Sequence, residues 1–283
     1  MRAANIQTLV NRVADTFGQF PAVVQTLDHM AGIFQGGSCV GEPPHMMVIG
    51  ESGTGKSTLL RRFLKEHPPV EHDERTEVPV VYLEVPSRTS VSGLASATLF
   101  SMGSPFWNKG TRPQLTTQLM TVLRECSTRL VVLDEINHLV DRGGQRTHHD
   151  AADWIKQLGR VGGVSLILAG TPRARRLLEI NDQLRSRFGC VVTLHPFSVE
   201  NGRAGEFSRV MRSFLKLLDG IPCLDLADDP LLRLTAFATG GRLRSIRNLL
   251  VRAIQLAATR SEPKIDLPLL ELAFKEAIYS QAT

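Results

Sequence analysis

The feature that most limits the fold of this chain is the glycine-rich segment at residues 50–57, which reads GESGTGKS. It follows a short apolar run, Met46–Ile49, and precedes a helical pattern over Thr58–Lys65. A strand, a loop of the form G-x-x-x-x-G-K-[ST] and a helix are together typical of a phosphate-binding loop. The glycines let backbone N–H groups turn inward around phosphates, and the start of the helix adds a favourable dipole.

The polar residues of this segment have defined roles in such a loop. Lys56 is expected to reach the β- and γ-phosphates of ATP, and Ser57 is expected to coordinate Mg²⁺. A chance glycine-rich turn is the alternative, and the flanking strand and helix argue against it. The predicted nucleotide-binding residues are Gly50, Glu51, Ser52, Gly53, Thr54, Gly55, Lys56, Ser57 and Thr58.

Short apolar runs alternate with longer helical patterns through the middle of the chain. This alternation predicts an α/β fold with a parallel sheet flanked by helices. The runs are Met46–Ile49, Val80–Val85, Leu130–Leu133, Val164–Ala169 and Val191–Leu194. After Pro196 only helical patterns follow, at 200–218, 229–239, 242–260 and 266–279. We therefore predict a helical lead-in at 1–44, a nucleotide-binding α/β domain at 45–197 and a small C-terminal helical domain at 198–283.

A pair of carboxylates, Asp134 and Glu135, ends the third apolar run. Strand ends at the carboxyl edge of a parallel sheet face the ligand crevice. Asp134 would hold Mg²⁺, and Glu135 would orient and deprotonate the attacking water. Alone, the pair is equally consistent with the start of a helix, where acidic residues are favoured. The phosphate loop upstream favours the functional interpretation, and Glu135 favours hydrolysis over binding alone.

Four further residues are candidates for contact with the phosphates. Thr171 follows the fourth apolar run and could hydrogen-bond the γ-phosphate or the attacking water, or cap a helix before Pro172. Arg185 and Arg187 could stabilise transition-state charge from a neighbouring subunit, or be solvated surface residues. Arg244 could reach the phosphates from the helical domain, or lie on an exposed basic helix face.

Composition adds weaker expectations. The net charge of +5 and the pI of about 9.3 are consistent with a polyanionic partner. No run of 18 apolar residues and no signal-peptide pattern is present, so we expect no membrane association. The four scattered cysteines predict free buried thiols in a reducing cytoplasm.

The motifs occur in the order of AAA+ ATPases, with Walker A at 50–57, Walker B at 130–135, sensor 1 at Thr171, the arginine-finger box at 184–188 and sensor 2 at Arg244. Over roughly residues 35–255 the chain resembles the transposition ATPases TniB and TnsC, and TniB more closely. Beyond the general motifs, the resemblance rests on Pro79–Val91, Met102–Pro105, Leu130–Leu139, Gly170–Thr171 and Asp182–Phe188.

The resemblance implies an ATP-dependent regulator of transposition that assembles on double-stranded DNA as a homo-oligomeric ring or helical filament. It implies a DDE transposase as partner, with a target-selection protein as a further candidate. It also implies the cytoplasm of a bacterium as the compartment. Arg187 matches the finger arginine. Lys109, Thr111 and Arg112 occupy the loop that relatives place against DNA, and a solvated surface loop is the alternative. Arg142 and Arg146, in a polar segment, are further DNA-contact candidates.

Two other functions fit the same residues. One is an AAA+ replication initiator or helicase-loader type of ATPase, which a neighbouring transposase gene would argue against. The other is a nucleotide-gated scaffold with little turnover. A measurement of ATP hydrolysis with and without DNA separates the scaffold from the other two functions.

Overall fold

The computed structural model describes residues 3–16, 21–36, 42–87, 89–141, 145–200, 202, 204–218 and 220–278. The helices are α1 Ala3–Asp15, α2 Pro21–Gly36, α3 Lys56–Glu66, α4 Val91–Ser101, α5 Arg112–Glu125, α6 His138–Asp141, α7 Gln145–Gly162, α8 Arg176–Ile180, α9 Asp182–Arg187, α10 Ala204–Leu215, α11 Asp229–Thr239, α12 Leu243–Ala258 and α13 Leu267–Ala277. The strands are β1 His45–Gly50, β2 Val70–Glu71, β3 Thr76–Glu77, β4 Val80–Glu84, β5 Leu130–Asp134, β6 Ser165–Gly170 and β7 Cys190–Leu194.

The contacts group the chain into two compact units. The α/β unit comprises Gln25–Glu51 and Lys56–Leu194. The helical unit comprises the described parts of Met1–Val24, Ser52–Gly55 and His195–Thr283. Because these units combine segments that are distant in the sequence, the contiguous boundaries predicted at residues 44 and 197 stay predictions.

A five-stranded parallel sheet in the order β4-β5-β6-β1-β7 forms the centre of the α/β unit. Every residue of β1, β5 and β6 is buried, which is expected of central strands covered on both faces. The five predicted apolar runs are the five strands, so the predicted α/β fold class with a helix-flanked parallel sheet is confirmed.

The helical unit follows the predicted periodic pattern. The buried residues of α12 recur every three to four positions, as one face of an amphipathic helix does: Leu243, Ile246, Leu249, Leu250, Ala253, Ile254 and Ala257. This helix packs against α1 and α13. The predicted helices at 200–218, 229–239, 242–260 and 266–279 correspond to α10 to α13.

Two features differ from expectation. The short antiparallel pair β2–β3 was not predicted, because its residues are largely exposed and carry no apolar period. Cys126, Cys190 and Cys223 are free thiols as predicted, but they are partly exposed rather than buried, and Cys190 lies on an edge strand. Cys39 lies outside the described residues. No helix in the described part of the chain is long and apolar enough to cross a membrane.

Candidate nucleotide site and candidate DNA-contact loop

Three neighbouring strands carry the predicted phosphate-site motifs at their ends. In the sheet, β6 lies between β1 and β5, and all three strands are parallel. Gly50 ends β1, Asp134 ends β5, and Thr171 follows β6. Because parallel strands have their carboxyl ends at one edge of a sheet, this topology brings the three motifs to the same edge.

The phosphate loop turns at two glycines whose backbone angles exclude other residues. Gly53 has φ +84° and Gly55 has φ +101°, and a side chain is strained in that region. Helix α3 begins at Lys56, directly after this turn. The loop therefore leads into a helix N-terminus, where unpaired N–H groups favour anions.

Lys56 is buried although it carries a charge, with only 5% of its surface exposed. Its ammonium donates to the backbone oxygens of Gly50 at 2.7 Å and Glu51 at 3.0 Å. These two bonds offset the free-energy cost of burying the ammonium, which is high when the group has no partners. Ser57 and Thr58 follow in the first turn of α3 and are partly buried.

Asp134 is fully buried, and both of its carboxylate oxygens accept hydrogen bonds. The backbone N–H of Glu135 donates to Oδ1 at 2.9 Å, and the hydroxyl of Tyr82 donates to Oδ2 at 2.8 Å. Among the described residues, no lysine, arginine or histidine pairs with this carboxylate. A buried carboxylate with oriented oxygens and no cationic partner fits a divalent cation. Mg²⁺ ligation by Asp134 and Ser57 stays a prediction.

Tyr82 was not singled out from the sequence. It lies on β4, the strand next to the one that carries Asp134. Burial raises the pKa of the Tyr82 phenol above its ordinary value, and the neighbouring Asp134 carboxylate raises it further. The phenol therefore remains a hydrogen-bond donor at neutral pH. The guanidinium of Arg61 lies 5.8 Å from the centre of its ring and pairs with Glu84 at 3.3 Å.

Glu135 occupies a backbone conformation that is uncommon for a residue with a side chain. Its φ is +56°, in the left-handed region. The next residue, Ile136, donates its N–H to Ala169 O on β6 at 2.9 Å. The chain thus turns sharply as it leaves β5, and Glu135 lies partly exposed at this turn. Strained conformations of this kind occur preferentially at functional sites.

Thr171 is held by its backbone, while its hydroxyl is buried. Its N–H donates to Oδ1 of the buried Asn137 at 3.0 Å. Within the described residues, Thr171 Oγ1 has no hydrogen-bond partner. A side chain at Gly170 would place its Cβ 2.7 Å from Asn137 Oδ1, so Asn137 would have to shift to accommodate it. A buried hydroxyl without a partner is consistent with a polar ligand at this position.

The two finger candidates have different environments at the end of α9. Arg187 is only 18% exposed and pairs with Glu42 at 2.7 Å. Arg185 is 63% exposed and pairs with Asp182 one turn earlier, at 2.9 Å. The N-cap is Asn181, whose side chain accepts the N–H of Leu184 at 3.0 Å. Both arginines are therefore fixed on a short, capped helix, and Arg185 is the more accessible.

Arg244, within the helical unit, contacts the loop residues that belong to that unit. Its backbone N–H donates to Gly53 O at 3.0 Å, and its guanidinium lies 3.5 Å from Ser52 Oγ. Arg247, one turn later on α12, donates its Nε–H to Thr16 O at 3.1 Å. The contacts of Arg244 with the phosphate loop are consistent with its predicted role.

The three candidate DNA-contact residues are exposed: Lys109 and Thr111 lie between α4 and α5, and Arg112 is the first residue of α5. The Lys109 ammonium lies 5.6 Å from the centre of the Phe106 ring. The Thr111 hydroxyl donates to Gln114 Oε1 at 3.0 Å, so it takes part in capping α5. Arg112 pairs with Asp150 at 3.5 Å. Of the other two candidates, Arg142 and the side chain of Arg146 lie outside the described part of the chain.

Comparison with known proteins gives the family. The sequence model of the family described as "TniB: Bacterial TniB protein" matches residues 10–198, about two thirds of the chain. The chain belongs to the TniB family. The matched segment contains the phosphate loop, the acidic pair, Thr171 and both finger candidates. No curated protein matches at a significant level of sequence similarity.

Solved structures share the fold of this TniB-family chain at low sequence identity. Cdc6p from Pyrobaculum aerophilum is 17% identical with a TM-score of 0.69, over 92% of this chain and 68% of that one. The Aeropyrum pernix ORC2 protein, solved with ADPNP and ADP, is 17% identical with a TM-score of 0.65, over 94% and 71%. Aeropyrum pernix ORC1, solved with DNA, is 18% identical with a TM-score of 0.66, over 93% and 66%. These similarities identify the AAA+ fold of P-loop NTPases.

Sequence analysis missed three residues that contact predicted site residues. Tyr82, Asn137 and Glu42 hold Asp134, Thr171 and Arg187 respectively. Asn137 follows the acidic pair closely, so its proximity to that motif was an available signal. Tyr82 and Glu42 carry no local signal, because their roles depend on the strand order and on a contact between residues 145 positions apart.

Proposed function

We propose that this chain binds and hydrolyses ATP with Mg²⁺, and that it acts as a DNA-binding regulator of transposition. The observation that carries the first part is the meeting of Lys56, Asp134 and Thr171 at the carboxyl ends of three adjacent strands. One edge of the sheet thus carries a buried ammonium, a buried carboxylate and, among the described residues, a buried hydroxyl without a partner. This combination suits a polyanion with a bound cation.

ATP binding is supported by the phosphate loop. Its backbone turns at Gly53 and Gly55 and leads into α3, while Lys56 supplies a positive charge. Aeropyrum pernix ORC2, which shares the fold, was solved with ADPNP and ADP. In our proposal, Arg244 adds a second positive charge to the loop from α12. Its guanidinium is already close to Ser52.

Hydrolysis requires a base and groups that hold the reacting atoms. Glu135 takes the proton of the attacking water, and its position directly after β5 puts it beside Asp134. Thr171 donates its hydroxyl to the γ-phosphate or to the attacking water. Asp134 and Ser57 hold Mg²⁺, which when bound offsets the charge that develops on the phosphates. Tyr82 and Glu135 N–H fix the orientation of the Asp134 carboxylate.

The position of α9 supports a shared site between subunits, because Arg185 is exposed at its end and Arg187 is partly exposed. Arg185 and Arg187 lie at the end of a short helix, where a neighbouring subunit can be reached. A guanidinium supplied in this way stabilises transition-state charge. We therefore propose a homo-oligomer, either a ring or a helical filament, in which Arg187 and its neighbour Arg185 act on the site of the adjacent copy.

Double-stranded DNA and a DDE transposase are the proposed partners, with a target-selection protein as a possible third. Membership of the TniB family supports a role in transposition. The exposed loop with Lys109, Thr111 and Arg112 supplies positive charge for phosphate contact. Aeropyrum pernix ORC1, of the same fold, was solved with DNA. In this proposal the chain assembles on target DNA with ATP and then recruits or activates the transposase.

The first test measures ATP binding and hydrolysis, with and without duplex DNA. Lys56→Ala should abolish nucleotide binding, because it removes the ammonium of the loop. Lys65→Ala removes an exposed lysine at the other end of α3 and should bind nucleotide as the wild type does. Unchanged nucleotide affinity in Lys56→Ala would disprove the site assignment. Absence of hydrolysis by the wild type under all conditions would favour a nucleotide-gated scaffold.

The second test addresses the assembly and the biological role. Electron microscopy of the protein with duplex DNA and a non-hydrolysable ATP analogue should show rings or filaments along the DNA. A reconstituted transposition reaction should depend on the protein and on ATP. The initiator or loader alternative is raised by the similarity in fold to Cdc6p and ORC proteins. It is favoured if transposition proceeds equally without this chain.

A further inference from the structure

The last turn of α4 and its connection to α5 expose three aromatic rings that the proposed phosphate contacts do not use. Phe100 is 64% exposed, Phe106 57% and Trp107 37%. The rings of Phe100 and Trp107 meet edge to face with centres 5.1 Å apart. The other tryptophan of the chain, Trp154, is 1% exposed. Two of the exposed rings are thus in contact, and the third, Phe106, directly precedes Trp107 in the sequence. Clustered exposed apolar residues mark an interaction site more often than single exposed residues do.

The segment that carries this aromatic patch (Phe100, Phe106 and Trp107) has charged residues of one sign only, although Asp150 from α7 pairs with its Arg112 at 3.5 Å. Residues 85–124 contain no aspartate or glutamate, although the chain has 28 acidic residues among 283. The same segment contains four basic residues, Arg88, Lys109, Arg112 and Arg124. Of these, Lys109 lies over Phe106. The segment therefore combines aromatic rings with positive charge and has no carboxylates of its own. Such a surface is complementary to an anionic ligand that has flat apolar faces.

The patch is held in place by hydrogen bonds. Ser96 Oγ–H donates to Trp107 O at 2.7 Å, and Gln118 Nε2 donates to Ser104 Oγ at 2.9 Å. On the other side of the patch, Thr111 N–H donates to Gln114 Oε1 at 2.7 Å and caps α5. A surface that is ordered before binding loses less conformational entropy when a ligand is bound.

We propose that this aromatic patch stacks on unpaired or unstacked DNA bases while Lys109 and Arg112 contact the adjacent phosphates. The proposal rests on the proposed DNA binding and deepens it, because it predicts a preference for DNA whose bases are locally open. Aromatic rings stack on every base, so the preference is for an open structure and not for a sequence. A fully paired duplex hides the base faces and offers the loop only its phosphates.

The binding test compares a perfect duplex with a duplex of the same length that contains a short single-stranded gap. The wild type should bind the gapped DNA about tenfold more tightly, the scale of one base stacked on one ring. Phe106→Ala with Trp107→Ala should remove this preference and leave the affinity for perfect duplex and its salt dependence unchanged. Phe237→Ala, which removes an 88% exposed ring on α11, is the matched control and should keep the preference. Thermal unfolding checks that each variant is folded.

The spectroscopic test uses the different exposure of the two tryptophans. Gapped DNA should quench the emission of the exposed Trp107 and protect it from iodide, whereas the buried Trp154 should contribute little to either change.

Equal affinity for the two DNAs, or unchanged Trp107 emission when gapped DNA is saturating, overturns the stacking proposal and leaves the proposed function intact. If neither DNA is bound at any salt concentration, the DNA part of the proposed function fails with it. If a purified transposase, and not DNA, protects Trp107 from iodide, the patch is a protein-binding surface and the stacking proposal is wrong.

Discussion

The hydroxyl of Tyr82 donates a 2.8 Å hydrogen bond to Oδ2 of Asp134, between two neighbouring parallel strands. Oδ1 of the same carboxylate accepts the N–H of Glu135. The two donors fix the plane of a carboxylate that is fully buried. The carboxylate that we propose as a Mg²⁺ ligand thus has its orientation set by two hydrogen bonds, and supporting bonds of this kind commonly tune metal affinity.

Tyr82→Phe should weaken the response to Mg²⁺ without unfolding the protein. The substitution keeps the ring and removes only the donor to Oδ2, which leaves a buried acceptor with one partner fewer. A hydrogen bond to a charged group contributes about 1.5–3 kcal/mol. The Mg²⁺ concentration for half-maximal ATP hydrolysis should therefore rise roughly tenfold, and ATP binding measured in EDTA should stay the same. An unchanged Mg²⁺ titration would show that Tyr82 does not position Asp134.

Glu135→Gln should bind ATP and hydrolyse it at least about a hundredfold more slowly, the scale of a lost general base. It should also trap the ATP-bound assembly on DNA. The matched control is Glu84→Gln, because Glu84 lies opposite Asp134 in the strand register and pairs only with the exposed Arg61 in the described structure. The control should hydrolyse ATP at nearly the wild-type rate. Single-turnover measurements give the hydrolysis rates of both variants. If Glu135→Gln hydrolyses ATP as fast as Glu84→Gln, Glu135 is not the general base.

Gly170→Ala should displace Asn137 and, through it, Thr171. The added Cβ would lie 2.7 Å from Asn137 Oδ1 and 3.1 Å from Ala174 Cβ, both of them closer than ordinary contacts. We expect a loss of about 1–3 kcal/mol in the free energy of unfolding and a slower hydrolytic step with ATP binding retained. Gly205→Ala, whose Cβ meets nothing within 4 Å on α10, is the control. Chemical denaturation and single-turnover hydrolysis give both quantities, and wild-type behaviour in both would contradict this linkage.

Arg187 should act on the site of an adjacent subunit. A mixture of Arg187→Ala protein with Lys56→Ala protein should recover part of the ATPase activity that each lacks alone, because one intact site forms where the two variants meet. The same mixture made with Arg185→Ala tests whether the more exposed arginine has this role. Co-assembly of the variants is verified by size-exclusion chromatography. No recovery at any ratio, in mixtures that do co-assemble, would mean that the sites are not shared.

Most of the α/β unit was predictable because its strands are buried on both faces. Each strand is a short apolar run, and the run at Met46–Ile49 differs from β1, His45–Gly50, by one residue at each end. The phosphate loop, Asp134 and Glu135 were identifiable because their chemistry requires fixed residue types next to strand ends. The β2–β3 pair was not predictable, because its side chains face solvent and leave no periodic signal.

The supporting contacts could not be predicted, since they depend on which strands become neighbours. Tyr82 and Asp134 are 52 positions apart, and Asn137 and Thr171 are 34 apart. They come together because β4, β5 and β6 are consecutive in the strand order β4-β5-β6-β1-β7. Sequence patterns indicate that strands are buried, but several orders of parallel strands are compatible with the same pattern. The register that pairs Tyr82 with Val132 is therefore a result of the structure alone.

His45, at the start of β1, should make the stability of the protein depend on pH. It is 3% exposed, and its Nδ1 accepts the N–H of Leu166 at 3.2 Å, which requires an unprotonated nitrogen. Burial lowers the pKa of His45 from 6.5 to about 4. The positive charge of Arg187 also lowers this pKa, whereas a backbone hydrogen bond with Pro44 and the negative charge of Glu42 raise it. Between these two pKa values the unfolded chain binds a proton that the folded chain does not bind. Stability should therefore rise with pH across this window and be lost as the pH falls from about 6.5 towards 4.

The shift corresponds to about 3 kcal/mol in the free energy of unfolding. Urea denaturation at several pH values between 7 and 4 should show this loss on top of the contribution of the carboxyl groups. His45→Gln should be less stable at pH 7, because the buried site is altered, but it should lose less of its remaining stability on acidification. His72→Gln, on the β2–β3 hairpin, controls for the removal of one histidine elsewhere. If His45→Gln and the wild type lose stability in parallel over this range, His45 does not titrate in the folding transition.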